Sequence, residues 1–180
     1  MGYDERAEIE GRDDYQGDYP DRSDDRRKLN GVDVHAFVFA GNSTFTLVSR
    51  VTGVRFTFKV SVPKFDANDP KADTKLTGPW FVKVLQGPNN EEDFGFLGTV
   101  FDDRPVKGAR KYFHSKKKSR ISRDAPSAKA AAWFFNTALP AQNFSEVEVW
   151  HEGKCGRCGR KLTVPSSIEN GLGPVCAELG

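Results

Sequence analysis

Apolar and polar positions alternate through much of the middle of the chain. Residues 54–62 read VRFTFKVSV, with Phe56 and Phe58 on one side and Arg55, Thr57 and Lys59 on the other. That period of two is the signature of a half-buried strand. Residues 35–50 (HAFVFAGNSTFTLVSR) are rich in Phe, Val and Thr, with a break at Gly41-Asn42. The short turn Val51-Thr52-Gly53 between these two runs predicts a β-hairpin. Residues 63–78 form a polar loop containing two prolines, and two further strands follow at 80–85 (WFVKVL) and 94–101 (FGFLGTVF). Gly87-Pro88-Asn89-Asn90 is a turn cluster between them. Residues 112–114 begin one more extended segment, and 147–150 (VEVW) form a last short strand that leads straight into the cysteines.

The period changes once. Residues 127–139 (SAKAAAWFFNTAL) are alanine-rich, Asp124 is placed to cap them, Pro126 fits a first turn and Pro140 ends the run. Ala130, Trp133, Phe134 and Ala138 share one face of that helix, which brings Trp133 and Phe134 onto the sheet. These elements predict an α+β domain: an antiparallel sheet of four or five strands with one helix packed on it, followed by a small C-terminal zinc-knuckle module. Fourteen phenylalanines and three tryptophans supply the core. The divisions are 1–30, 31–145 and 146–180.

Composition and charge refine this picture. The chain has 180 residues, of which 37% are apolar and 29% charged, so part of it is expected to lie outside a core. Residues 1–30 hold ten acids and six bases with almost no large aliphatic residue, which predicts a disordered acidic tail. No apolar run reaches membrane-spanning length, and the first residues lack the apolar stretch of a secretory signal. Three cysteines are too few, and odd in number, for a disulfide framework, so a reducing cytoplasm is the expected compartment.

The cysteines carry the strongest chemistry. Cys155 and Cys158 form a C-x₂-C knuckle, with Gly156 and Gly159 free to take the backbone angles its turn demands. Cys176 follows eighteen residues after Cys158, the spacing of the second half of a zinc site. A closed tetrahedron needs a fourth ligand, and His151, four residues before Cys155, is the best placed. Glu152, His114 or a partner's side chain are the alternatives. A redox pair is the competing reading of a lone C-x₂-C, and the third cysteine and the histidine argue against it. Four protein ligands would make the Zn²⁺ site structural rather than catalytic. Leu162, Val164, Ile168, Leu172 and Val175 are the candidate core of the module, and Gly173-Pro174 turns the chain to deliver Cys176.

The stretch CGRCGRKLTVPSSIENGLGPVC over 155–176 resembles a small cysteine-rich domain of phage and prophage proteins, a family catalogued only as a domain of unknown function. The likeness covers about the last thirty residues and fixes glycines and prolines as well as cysteines. The block from Thr44 to Leu139 resembles, more loosely, what precedes this domain in phage proteins. The resemblance implies a phage or prophage origin and brings no activity with it.

Residues 104–123 hold nine bases and no acid. Arg110, Lys111, Lys116, Lys117, Lys118, Arg120 and Arg123 interleave with Tyr112 and Phe113, a pattern suited to phosphates with an aromatic ring beside them. Arg157, Arg160 and Lys161 on the knuckle are positioned to extend the same face. The expectation is a non-enzymatic nucleic-acid-binding protein. The alternative is a phage factor that binds a host defence or replication enzyme. No phosphate-binding glycine loop or nucleophile elbow is present, Asp102-Asp103 reads as a turn, and no small-molecule substrate is evident.

Overall fold

The turn at Val51-Thr52-Gly53 closes the expected hairpin between β1 (Asn42–Ser49) and β2 (Arg55–Ser61), with Phe45 opposite Phe58 and Thr46 opposite Thr57. The computed structural model describes residues 25–63, 78–102 and 109–179. The acidic tail over 1–24 and most of the 63–78 loop lie outside the described residues. Beyond the hairpin the sheet continues with β3 (Trp80–Leu85), β4 (Phe94–Asp102) and β5 (Arg110–His114). A sixth strand, β6 (Val147–His151), pairs with β1. The order is β5-β4-β3-β2-β1-β6, antiparallel at every pairing. The sheet thus has one strand more than the upper expectation, because the segment that precedes the cysteines belongs to it.

Alternation assigns each side chain a face. Phe45, Phe58, Trp80, Val82 and Val100 occupy paired inward positions and are essentially inaccessible to water. A bulge at Val82/Lys83 lets Leu97 turn inward as well. Burial of each such side chain stabilises the fold by about 1.5–3 kcal/mol.

Helices cover this inner face. The first, α1 (Gly31–Val38), replaces the start of the strand expected from residue 35. Val34, Phe37 and Val38 recur at i, i+3 and i+4 and are all fully buried, so helical spacing outweighs the β-propensity of Val and Phe. The second, α2 (Pro126–Trp133), begins at Pro126 without a side-chain cap, so Asp124 does not serve the role its position suggested. A π-helical turn over Phe134–Ala138 follows, closed by the Leu139 N–H on the Phe134 carbonyl at 2.9 Å. The extra residue per turn rotates the face. Phe134 and Phe135 both point inward, whereas Trp133, expected on the sheet, is 36% exposed. Phe134 packs 5.6 Å from Phe45, and Phe135 stacks on Tyr112 at 5.7 Å.

Residues 28–29, counted with the expected tail, belong to the fold. Lys28 bridges to Trp150, and the Leu29 N–H donates to the Val149 carbonyl at 2.8 Å. Leu29 is buried in the core, so residues 28–29 extend the β6 edge. One leucine among charges gave no periodic signal in the sequence.

Candidate metal centre

The backbone from 153 to 162 builds a tight knuckle. Lys154 and Lys161 form an antiparallel bridge, the Cys155 N–H donates to the Arg160 carbonyl at 2.8 Å, and the Gly159 N–H donates to the Cys155 carbonyl at 2.9 Å. Two short helices then return the chain. Pro165 opens α3 (Pro165–Asn170), and Gly171 ends it in the left-handed conformation at φ 74°. Gly173-Pro174 starts α4 (Pro174–Glu178), which carries Cys176 as the spacing predicted.

The folding-back brings Cys155, Cys158 and Cys176 together, with their sulfurs within 4.8 Å of one another. Sulfurs of a tetrahedral site with metal bonds of about 2.3 Å stand about 3.8 Å apart, so a small contraction suffices. No disulfide joins any pair. Burial pushes the Cys155 thiol up, but the N–H groups of Cys158, Gly173 and Arg157 and the Cys158 side chain outweigh it and bring it down to about 7. Burial pushes Cys176 up to about 11, aided by the Cys158 and Cys155 thiols beside it. Three sulfurs at this spacing resist joint ionisation, and a bound cation reverses that repulsion. The donor set therefore fits a soft or borderline metal ion.

His151 stands outside this group, although it was the best-placed fourth ligand by spacing. Its Nδ1 accepts the Gly153 N–H at 2.9 Å, and its Nε2 faces the Ile168 carbonyl. An N–H can only donate and a carbonyl only accept, so these two contacts fit the Nε2–H tautomer. His151 instead ties β6 to α3. Of the alternatives, His114 lies on β5, at the opposite edge of the sheet, with Nε2 on the Ile121 carbonyl. Glu152 does not join the sulfurs either.

The module is seated on the sheet and α1. The Asn42 N–H donates to the Gly156 carbonyl at 2.7 Å. A Cβ on Gly156 would come within 2.8 Å of the Phe37 ring, and one on Gly171 within 2.4 Å, so both glycines are required by close approach. Phe37 lies 5.6 Å from the His151 ring as well. Its part in holding the module carries no sequence signal, since the run around it has the composition of a strand. The module's own apolar residues contribute less than expected: Leu162 is buried, but Val164 is 49% and Val175 68% exposed.

The basic stretch divides in two. Arg110 points to the inner side, stacked on Phe39 at 4.2 Å and on Trp80 at 4.4 Å. Its Nε donates to Asp102 at 3.4 Å and its Nη1 to His35 Nε2 at 3.1 Å. Burial, with the Arg110 charge beside it, holds His35 below the usual imidazole value. Tyr112 is buried too, its phenol pushed up to about 12, and its backbone is paired at both N–H and C=O with the Asn136 amide. Neither residue is open to a large ligand. Lys111, Lys116, Lys117, Lys118, Arg120 and Arg123 are exposed, and none makes an ion pair among the described residues. The knuckle is not confined to the β6 edge: Lys154 reaches Glu91, in the turn between β3 and β4, at 3.8 Å.

Fold and site together define an α+β domain closed at one sheet edge by a three-cysteine knuckle. Residues 149–179 match a family of unknown function, DUF6011, which agrees with the cysteine-rich character of this segment. No curated protein and no solved structure matches the chain. No helix among the described residues is long and apolar enough to cross a membrane.

Proposed function

We propose that this chain is a non-enzymatic nucleic-acid-binding protein whose C-terminal module is held closed by a structural Zn²⁺ ion on Cys155, Cys158 and Cys176. The metal reading rests on the convergence of the three sulfurs. The nucleic-acid reading is supported by one observation: six exposed cations, with no carboxylate partner among the described residues, run from the β5 edge through the turn at 116–118 to the start of α2. Phosphates of a polyanion would neutralise them and release counterions. Replacing Lys116, Lys117 and Lys118 by glutamate is expected to weaken binding at least tenfold and to lower the salt slope by about three, with the melt unchanged. Fluorescence anisotropy at two salt concentrations reads this, and undiminished affinity would reduce the stretch to a solvated loop.

A groove of 540 Å³ lined by Val51, Val54, Phe56 and Trp133 favours a second reading, a protein-binding factor. In that reading a phage-encoded chain engages a host defence or replication enzyme. It predicts a co-purifying protein and no salt-sensitive affinity for nucleic acid.

A further inference from the structure

The inner face of the sheet is filled by α1, α2 and the π turn, and the outward positions are defined by register. Phe81 stands opposite Thr99, Lys83 opposite Phe96, and Lys111 opposite Phe101, all on the side away from the core. Lys59 pairs with Lys83 on the same side. Phe101 is 47% and Phe113 52% exposed, and Phe81 and Phe96 are half-buried. The rings form two neighbouring pairs, Phe101–Phe113 and Phe81–Phe96, each 6.2 Å between centroids. Lys111 Nζ lies 5.6 Å from the Phe113 ring. Among the described residues no carboxylate occupies an outward position of β2 to β5. Lys59, at the end of this face, shares a hollow with Glu91 and Glu152, whereas Lys83 and Lys111 make no ion pair among the described residues. Exposed phenylalanines are an unusual cost for a free monomer, and the unpaired cations name the sign of what covers them.

We infer that this outer face binds single-stranded nucleic acid, with bases stacked on Phe101, Phe113, Phe81 and Phe96 and phosphates held by Lys83 and Lys111. The inference rests on the nucleic-acid reading above and names its surface and its ligand. Flat π faces interleaved with point cations suit unpaired bases on a charged backbone; in a duplex the base faces are already stacked on each other. The site is continuous with the exposed cations, because β5 carries Lys111 and Phe113 and runs directly into the turn at 116–118. Its far end is bounded by Glu91, paired with Lys154 at 3.8 Å, so a strand would track along β3 to β5.

The test uses the full chain and fluorescein-labelled oligothymidylate, oligouridylate and a duplex of equal length, read by anisotropy. Either single strand is expected to bind more tightly than the duplex, and the preferred sugar identifies DNA or RNA. Phe101→Ala with Phe113→Ala should weaken single-strand binding at least about tenfold and leave duplex binding and the melt unchanged. Phe101→Leu with Phe113→Leu keeps the apolar surface without the π face and should lose nearly as much. Duplex binding as tight as single-strand binding, or undiminished affinity in both pairs of variants, would overturn the inference. In that event, loss of duplex binding in the Lys116–Lys118 glutamate variant would leave the broader nucleic-acid reading standing. No binding to any probe at low salt would overturn both.

Discussion

Replacing Cys155 with serine is expected to empty the chain of metal and to release residues 152–179 from the fold. A module of this size needs a core or a substitute for one. Its only well-buried large aliphatic is Leu162, since Val164 and Val175 lie largely in water. Structural zinc in small modules contributes about 10–16 kcal/mol of apparent binding free energy, which is then folding free energy. Cys155 is the buried member of the trio and receives the Gly173 N–H on its sulfur at 3.4 Å. A serine there removes a ligand and leaves a buried hydroxyl in its place. Metal content per chain should fall to near zero, and amides of the knuckle, α3 and α4 should lose protection from hydrogen exchange. The sheet from β5 to β1 should keep its protection. Unchanged metal content with an unchanged melt would contradict the metal centre outright.

The second large effect is expected far from any cysteine in sequence. Phe37→Ala should destabilise the whole chain by about 3–5 kcal/mol, the range for truncating a fully buried phenylalanine. Against a total of about 5–15 kcal/mol this is a major fraction. For a chain of this length it corresponds to a fall in Tm of about 10 °C. Phe37 sits in the main core, yet its ring is also the surface on which Gly156, Gly171 and His151 rest. The cavity therefore opens between domain and module. Thermal unfolding of the sheet and release of metal should shift downward together. Metal released at the wild-type temperature would show that the module does not depend on this contact.

What the sequence disclosed was local. The hairpin at Thr52-Gly53, the strands at 80–85 and 94–101 and the cysteine knuckle each rest on turn chemistry or fixed spacing within a few residues, and the structure contains them. What it concealed depended on partners distant in the chain. Val34, Phe37 and Val38 carry both β-branched or aromatic character and helical spacing, and only packing on the sheet decides between them. His151 satisfies the spacing of a ligand, but the Ile168 carbonyl, delivered by α3, takes its ring nitrogen. Arg110 and Tyr112 sit beside Lys111 in sequence and on the opposite face in space, because a strand alternates. The basic run therefore reads as one patch in sequence, while its seven described members divide between two environments in the fold. The same alternation gathers Phe81, Phe96, Phe101 and Phe113 on one open face, which their scattered positions did not reveal.

The measurement that bears most directly on the metal centre is zinc quantification of the purified chain combined with X-ray absorption at the zinc edge. The proposed centre predicts one zinc per chain with three sulfur neighbours at about 2.3 Å and one lighter donor. A chain that is metal-free as purified and stays folded over 152–179, or a zinc with fewer than three sulfurs, would contradict it.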